Sequence, residues 1–541
     1  MEEALNLILL PQPRSLAPRP GHSTSNESRI IINPNSVPPR GYRLSVSPAE
    51  IRIIAHDPAS AFYGRQTLAQ IRLQCPHSIP CLEIEDWPDF PVRGVMLDIS
   101  RDKVPMMKTL FDLVVLLAGW KINQLQLYTE HTFAYSRHEE VWKDASPMTA
   151  DEIRALDSFC RDYYIDLVPN QNSFGHMERW LKHPGYEPLA ETADGAETPW
   201  GFRWKGPFSL CPTDPRSLEF LAGLYDELLP NFTSRLFNVG CDETFDIGQG
   251  RSRGVENAYL EFLKKVHALV ARHNKTMMFW GDIIVQKPEL IAQLPRPIVA
   301  MEWGYEANHP FDAEGAMFAQ SGIPFYVCPG TSSWLSIAGR TDNMLANQRN
   351  AAAAGLKHGA IGYLNTDWGD HGHLQYLPIS YAGLAAGAAM SWCEPTNRDL
   401  NLPDVLDRHA FADSAGKMGR IACDLGNVYQ AVGKLWTNSS ALFRILVPSS
   451  THRNVMEAIT GQGLLAAEAA IDRAISPLRQ AKVKPLIKDE FANAAAMLRL
   501  ACAKGRNEAV DATPIIMEHR RLWLARNRPG GLEDSLRRLR E

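Results

Sequence analysis

Excess positive charge is the first thing this 541-residue sequence lacks: 56 Lys and Arg stand against 61 Asp and Glu, a net charge of −5 at neutral pH. With no basic stripe to offset that balance, neither nucleic acid nor an anionic membrane surface is an expected partner. Long hydrophobic runs are missing too. No stretch approaches the ~18 apolar residues of a membrane-crossing helix, so no membrane span is expected. The nine cysteines are odd in number and show no CxxC or short regular spacing, which argues against a disulfide framework. The chain opens Met1-Glu-Glu-Ala-Leu-Asn-Leu-Ile-Leu-Leu-Pro, whereas a secretory signal wants a positive start and a longer apolar core. A reduced, cytoplasmic protein is the simplest expectation, although a chain with its signal trimmed would look similar. No cluster has metal-ligand spacing, so neither a metal nor another cofactor is expected. Composition does not speak to oligomeric state.

What is present is an ordinary globular balance, 45% hydrophobic and 22% charged residues, in a chain long enough for about two to four domains. Residues 1–40, rich in Pro, Ser and Arg, read as one short strand and loops. Alternation over 42–47 and 51–55 gives two strands, and helical spacing over 60–73 a helix, which together make a small α+β domain over residues 1–87. Asp86-Trp-Pro-Asp-Phe-Pro reads as a linker, since two prolines interrupt ladder and helix alike. Over residues 88–400 a strand–loop–amphipathic helix unit recurs. Strands are expected at 92–99, 124–129, 165–169, 236–240, 276–280, 298–303, 324–328 and 360–365. Helices such as 106–120, 150–164, 217–229 and 254–273 lie between them. Eight strands alternating with helices define an α/β chain with a (β/α)8 TIM barrel. A doubly wound sheet competes, but polar and aromatic residues recur just past the C-terminal ends of the strands, where barrel sites form. Arg93, near the start of the first strand, is the exception. Residues 401–541 carry helical stretches at 463–474 and 488–504 and few strand signals, so a C-terminal helical domain packed on the barrel is expected.

The chemistry concentrates at Leu236-Phe-Asn-Val-Gly-Cys-Asp-Glu-Thr244. Neighbouring side chains on a strand point to opposite faces, so Asp242 and Glu243 cannot share a site within one. Where the chain bends at the strand's C-terminal lip they can splay to two sides of one substrate. Carboxylates and tryptophans (Trp280, Trp303, Trp368) at a barrel mouth suit sugars, whose C–H faces stack on indoles. Glycosidic cleavage needs an acid for the leaving oxygen and a second group for the oxocarbenium-like centre. Each tryptophan taken singly reads equally well as core.

Three stretches together resemble glycoside hydrolase family 20, the β-N-acetylhexosaminidases. Arg93-Gly-Val-Met-Leu-Asp-Ile-Ser-Arg101 is similar to that family's first barrel strand. Leu236 to Thr244 is similar to its fourth, and Val168-Pro-Asn-Gln-Asn-Ser-Phe-Gly-His176 to its third. Phe62-Tyr-Gly-Arg-Gln-Thr-Leu resembles part of the small domain that precedes such barrels, so the likeness spans roughly residues 8–392. The resemblance implies a retaining, exo-acting enzyme on glycans ending in a β-linked N-acetylhexosamine. Glu243 would be the general acid and Asp242 the holder of the substrate's acetamido N–H, so that the acetamido oxygen is the nucleophile. It further implies Arg93 on the sugar hydroxyls, the three tryptophans around the acetamido group, and Asp370 on a hydroxyl. Glu130 and His176 fall at positions where substrate contacts are expected. The bland alternatives are an Arg93–Asp98 pair inside the barrel and a core His176.

The sequence also departs from the family. After the second strand it reads Leu127-Tyr-Thr-Glu-His-Thr-Phe, where histidines and paired aspartates are usual, and Asn170 and Asn172 stand where acids are expected. The tyrosine expected past the seventh strand is missing from Cys328-Pro-Gly-Thr-Ser-Ser-Trp334, so either Trp334 fills part of the space or the contact is lost. These are features of a divergent member. Two rival readings remain open. One is a glycosidase with a protein nucleophile such as Glu302, and the other a carbohydrate-binding barrel without turnover.

Overall fold

Asp86 ties the two halves of the molecule together. Expected in a linker, it is instead fully buried at the end of the strand Ile79–Asp86. Its carboxylate accepts hydrogen bonds from Tyr42 (2.6 Å), Lys121 (2.9 Å) and Trp392 (2.8 Å). Lys121 and Trp392 belong to the barrel, so the prolines that follow turn the chain without separating the domains. The computed structural model describes residues 7–448 and 455–540. The acidic first residues, on which the reading of a missing signal rests, lie outside them.

The N-terminal module is a five-stranded sheet in the order Ser15–Ser23, Ile79–Asp86, Tyr42–Val46, Ile51–Ala55, Arg29–Ile32. The alternation at Tyr42, Leu44 and Val46 and at Ile51, Ile53 and Ala55 buries one face against the helix Pro58–Gln74. Two strands form within the first 40 residues where one is expected. Ser15–Ser23 holds two prolines, but it lies at a sheet edge and its pairing skips between Pro18 and His22, which spares the missing donors.

The barrel strands are Val92–Asp98, Gln124–Tyr128, Asp166–Val168, Leu236–Asn238, Thr276–Trp280, Ile298–Trp303, Phe325–Cys328 and Gly362–Asp367, first to eighth. They run parallel, with the first strand beside the second and eighth. The ring closes between third and fourth, where Asn238 donates to the Pro169 carbonyl at 2.9 Å and Gln171 donates back to that of Asn238 at 3.0 Å. Met96, Tyr128, Met278, Met301 and Leu364 fill the interior. A polar bridge crosses it as well: Gln126 Oε1 accepts from Asn170 at 3.1 Å and from Asn238 at 2.9 Å. The fifth crossover holds only the short helix Asp282–Val285 and a 3-10 segment, Pro288–Gln293, whereas the eighth ends in the almost wholly buried helix Leu377–Trp392.

Beyond it the tail is helical, with Gly461–Ile475, Pro485–Gly505, Thr513–Arg526 and Leu532–Arg540 its longest elements. It returns to the barrel mouth. Arg528 donates to both carboxylate oxygens of Glu152 (2.8 and 3.1 Å), and Thr109 to the Arg526 carbonyl (2.6 Å). Trp523 is fully buried, with the Lys103 ammonium 4.9 Å from its ring centre.

Candidate active site

The loop after the fourth strand explains how two adjacent acids serve one site. Gly240, Cys241 and Glu243 all have left-handed backbone, with φ of 67°, 69° and 48°. Such a run reverses the pleat, at about 1 kcal/mol or more for each non-glycine residue. Gly240 is required, because a Cβ there would lie 2.5 Å from Asn172 Oδ1. As a result one ring atom, His176 Nε2, stands 3.3 Å from Asp242 Oδ2 and 3.3 Å from Glu243 Oε2. Asn172 anchors the turn: its Oδ1 accepts from the Cys241 N–H (3.2 Å) and its Nδ2 donates to Asp242 Oδ1 (3.1 Å).

The electrostatics set Asp242 apart from Asp282. Burial disfavours the Asp242 carboxylate, but the His176 ring and the Arg101 guanidinium outweigh it and hold the pKa below the usual range, so Asp242 is an anion. His176 is the counterpart. Burial opposes its imidazolium, and Asp242 and Glu243 together override burial and push its pKa well up, with Arg101, 3.3 Å from Nδ1, working against them. Asp282 accepts the Glu243 backbone N–H at 2.9 Å. Burial, then the charge of Asp242, raises it well above its ordinary value, which favours its neutral form.

The pocket in front of Asp242 and Glu243 is walled by Trp280, Trp303, Trp368 and Tyr305. Trp303 stacks on Tyr305 (centroids 5.0 Å, planes 27° apart), and Trp368 Nε1 donates to Tyr305 Oη at 2.7 Å. Its polar end is Arg101 with Asp370, 3.2 Å apart. The Arg101 guanidinium also lies 4.7 Å from the Trp368 ring centre and 3.4 Å from Asp98. Past Glu243 and Trp303 the pocket opens into an outer cavity of about 440 Å³ that includes Trp200 and Glu302.

Of the residues expected to contact substrate, Trp280, Trp303, Trp368 and Asp370 line this pocket. Four do not. Arg93 is buried at the opposite end of the first strand, where it donates to the carbonyls of Lys121 (2.9 Å) and Phe90 (3.0 Å) beneath Tyr63 and Trp392. It reaches neither this pocket nor Asp98; the arginine at the mouth is Arg101, past the end of the same strand. Glu130 is buried beneath Arg101, with Oε1 accepting from Tyr128 at 2.8 Å. His176 stands behind the two acids rather than in the pocket lining. Trp334 is fully buried edge-on to Tyr305 (4.9 Å, 89°), a prop for that ring. Sequence reasoning missed Tyr305 and Asn438, and it quoted Arg101 and Asn172 within motifs without giving either a contact in the site. The rule that strand ends carry the site selects Arg101 over Arg93, and Tyr305 follows the sixth strand by two residues. Nothing in the sequence marks Asn438, which lies far downstream.

Among the described residues two trios have ligand atoms close enough to hold a metal ion: His176, Asp242 and Glu243, and Glu302, His309 and Glu314. The first is the acid pair with its own imidazole. In the second, His309 Nε2 lies 2.7 Å from Glu302 and 3.4 Å from Glu314, an internal network among the three side chains.

The description "Glycosyl hydrolase family 20, catalytic domain" matches residues 90–360, and "domain 2" of the same family residues 10–87. The chain belongs to glycosyl hydrolase family 20. A beta-hexosaminidase of Akkermansia muciniphila is 28% identical over 44% of this chain and 55% of its own length. A lacto-N-biosidase of Bifidobacterium bifidum is 24% identical over 49% of this chain and 24% of its own. The chain thus spans between a quarter and about half of these relatives' lengths. The fold agrees with a chitobiase structure from Flavobacterium johnsoniae at a TM-score of 0.60 and 16% identity, covering 95% of this chain and 96% of that one.

Proposed function

We propose that the chain is an exo-acting, retaining β-N-acetylhexosaminidase in which the substrate's acetamido group is the nucleophile. The observation that carries this reading is an ionised Asp242 and a Glu243 on one side of a tryptophan-walled pocket, with no other carboxylate among the described residues disposed to attack. Glu302 faces the outer cavity, held by His309, and burial pushes it up to about 8, so it is largely neutral at pH 7. Glu130 is covered, and Asp370 is committed to Arg101.

In the proposed reaction Asp242 accepts the acetamido N–H, turns the carbonyl oxygen toward the anomeric carbon, and stabilises the oxazolinium as it forms. Tyr305 takes the place of the tyrosine missing after the seventh strand. Its oxygen accepts from Trp368, which leaves its own proton to be donated to the acetamido oxygen. Glu243 protonates the leaving oxygen, then removes a proton from the water that opens the ring, and two inversions retain configuration. The Arg101–Asp370 end takes the outermost hydroxyls, which suits a terminal sugar.

The test is a panel of aryl β-glycosides with and without the 2-acetamido group, together with a stable ring analogue of the oxazoline. Acetamido substrates should turn over while plain glycosides scarcely do, and the analogue should bind at least ~10²-fold tighter than substrate. Comparable rates on plain glucosides or galactosides, with indifference to the analogue, would overturn the proposal in favour of a protein nucleophile.

A further inference from the structure

The tail enters the site at one residue. Asn438 lies outside both stretches matched by the family, yet it lines the inner pocket beside Tyr305 and also the outer cavity beside Thr437. Three other side chains border both spaces: Glu243, Trp303 and Tyr305. Asn438 therefore stands at the level of the bond that Glu243 would protonate.

Its placement is fixed from behind. The backbone N–H of Asn438 donates to Glu306 Oε1 at 2.7 Å, and Glu306 is gripped by the buried Arg340 through two contacts of 2.9 and 3.1 Å. Arg340 also reaches the Trp436 carbonyl at 3.5 Å, and Ser440 donates to the Leu335 carbonyl at 2.9 Å, pinning the segment on both sides. The backbone of Asn438 is left-handed, with φ of 52°. That conformation explains an asparagine or a glycine at this position. It leaves unexplained a side-chain oxygen that is shielded from solvent and has no hydrogen-bond partner. Buried polar atoms are normally satisfied, and a turn of the amide would offer this one to a ligand in the spaces that Asn438 lines.

On this basis, and resting on the glycosidase reading above, we propose that Asn438 binds a sugar hydroxyl at the junction of the two spaces, so that the C-terminal helical region is part of the substrate site. A hydroxyl suits the amide because it can both donate and accept. The hydroxyl has two possible sources, the terminal sugar or the sugar next to it across the scissile bond.

The experiment measures kcat and KM of wild type, Asn438→Gly and Asn438→Asp on two substrates. One is an aryl acetamido glycoside, whose leaving group carries no sugar hydroxyl; the other is a β-linked disaccharide with the same terminal sugar. Glycine keeps the left-handed backbone and the N–H to Glu306 while removing the amide, and aspartate keeps an acceptor should the glycine chain fold poorly. The expected loss in kcat/KM for Asn438→Gly is about 5- to 12-fold, the scale of one hydrogen bond, largely recovered in Asn438→Asp. An equal loss on both substrates assigns the contact to the terminal sugar, and a loss confined to the disaccharide assigns it to the leaving-group sugar. Unchanged kinetics on both, with the glycine chain folded, overturns the inference. An inactive wild type would instead refute the glycosidase reading itself.

Discussion

Asp242→Asn is the substitution that bears most directly on the proposed division of labour. Amide replaces carboxylate at constant size, and its retained Oδ1 can go on accepting from Asn172 Nδ2, which now donates to Asp242 Oδ1 at 3.1 Å. What disappears is one negative charge in a buried site. A full charge about 4 Å from the developing oxazolinium is worth about 4 kcal/mol at an effective dielectric near 20, or roughly 10³ in rate. The range to expect is ~10²–10⁴-fold in kcat/KM. His176 loses its strongest partner at the same time, so the imidazolium raised by Asp242 and Glu243 should titrate at lower pH, visible by NMR. Because Asp242 acts on the acetamido group, the loss should be the same for aryl substrates with good and poor leaving groups. Glu243→Gln should differ in kind, costing most with poor leaving groups that need protonation and little with good ones. Small, equal losses for the two variants across the whole series would refute the assignment.

Other outcomes follow from the same geometry. Arg93→Ala should lower stability by about 2–5 kcal/mol, since it strips buried carbonyls of their donor, with KM unchanged in the folded fraction. Arg101→Ala should instead raise KM for the terminal sugar, and urea titration beside kinetics separates the two. Glu302→Gln should keep kcat within a few-fold and flatten the stability–pH profile. Burial raises Glu302 from its ordinary value to about 8 despite the opposing His309, so its stability is full below about pH 4.5 and is lost as pH rises toward 8. His309, raised to about 9 by Glu302 and Glu314 against burial, loses its share from about 6.5 up to 9. A large fall in kcat would revive Glu302 as nucleophile. Truncation after Pro403 should give insoluble chain, because it exposes the barrel face against which Phe491 packs and uncovers the buried Lys103 beneath Trp523; a soluble, fully active fragment would contradict this.

Much of the frame was legible because local patterns and tertiary packing agree. The eight strands fall where short apolar runs precede polar residues, and the acid pair sits on the fourth because only a strand lip lets consecutive side chains share a site. The misreadings have physical causes. Asp86-Trp-Pro looks like a linker by its prolines, but Tyr42, Lys121 and Trp392, scattered over 350 residues of sequence, converge on one carboxylate. Arg93 and Arg101 bracket the same strand, and seven residues of strand carry them to opposite ends of the barrel. A motif containing both arginines does not say which of them faces the pocket; the direction of a parallel strand does. Trp334 illustrates the converse error, since a tryptophan placed past a strand end faces the pocket only if nothing else arrives first. Tyr305 does, from the preceding strand.

That substitution of one ring by another also bears on divergence. After the seventh strand the space is filled by Trp334, packed so closely on Gly330 that a Cβ there would stand 2.4 Å from its ring. Tyr305 approaches from the sixth strand instead, held between the stacked Trp303 and the edge-on Trp334, with its oxygen set by Trp368. The hydroxyl, not the strand that delivers it, is what the chemistry needs. On the proposed mechanism, a loop that lacks its tyrosine keeps the reaction provided another strand fills the same volume with the same donor. Tyr305→Phe isolates that donor. It should leave the packing of Trp303 and Trp334 intact and cost about 1–3 kcal/mol at the acetamido oxygen. Because the contact strengthens as charge develops, the loss should fall on kcat rather than KM. A variant with kcat unaltered would mean that the oxygen is held by something else, and that the loss of the seventh-strand tyrosine went uncompensated.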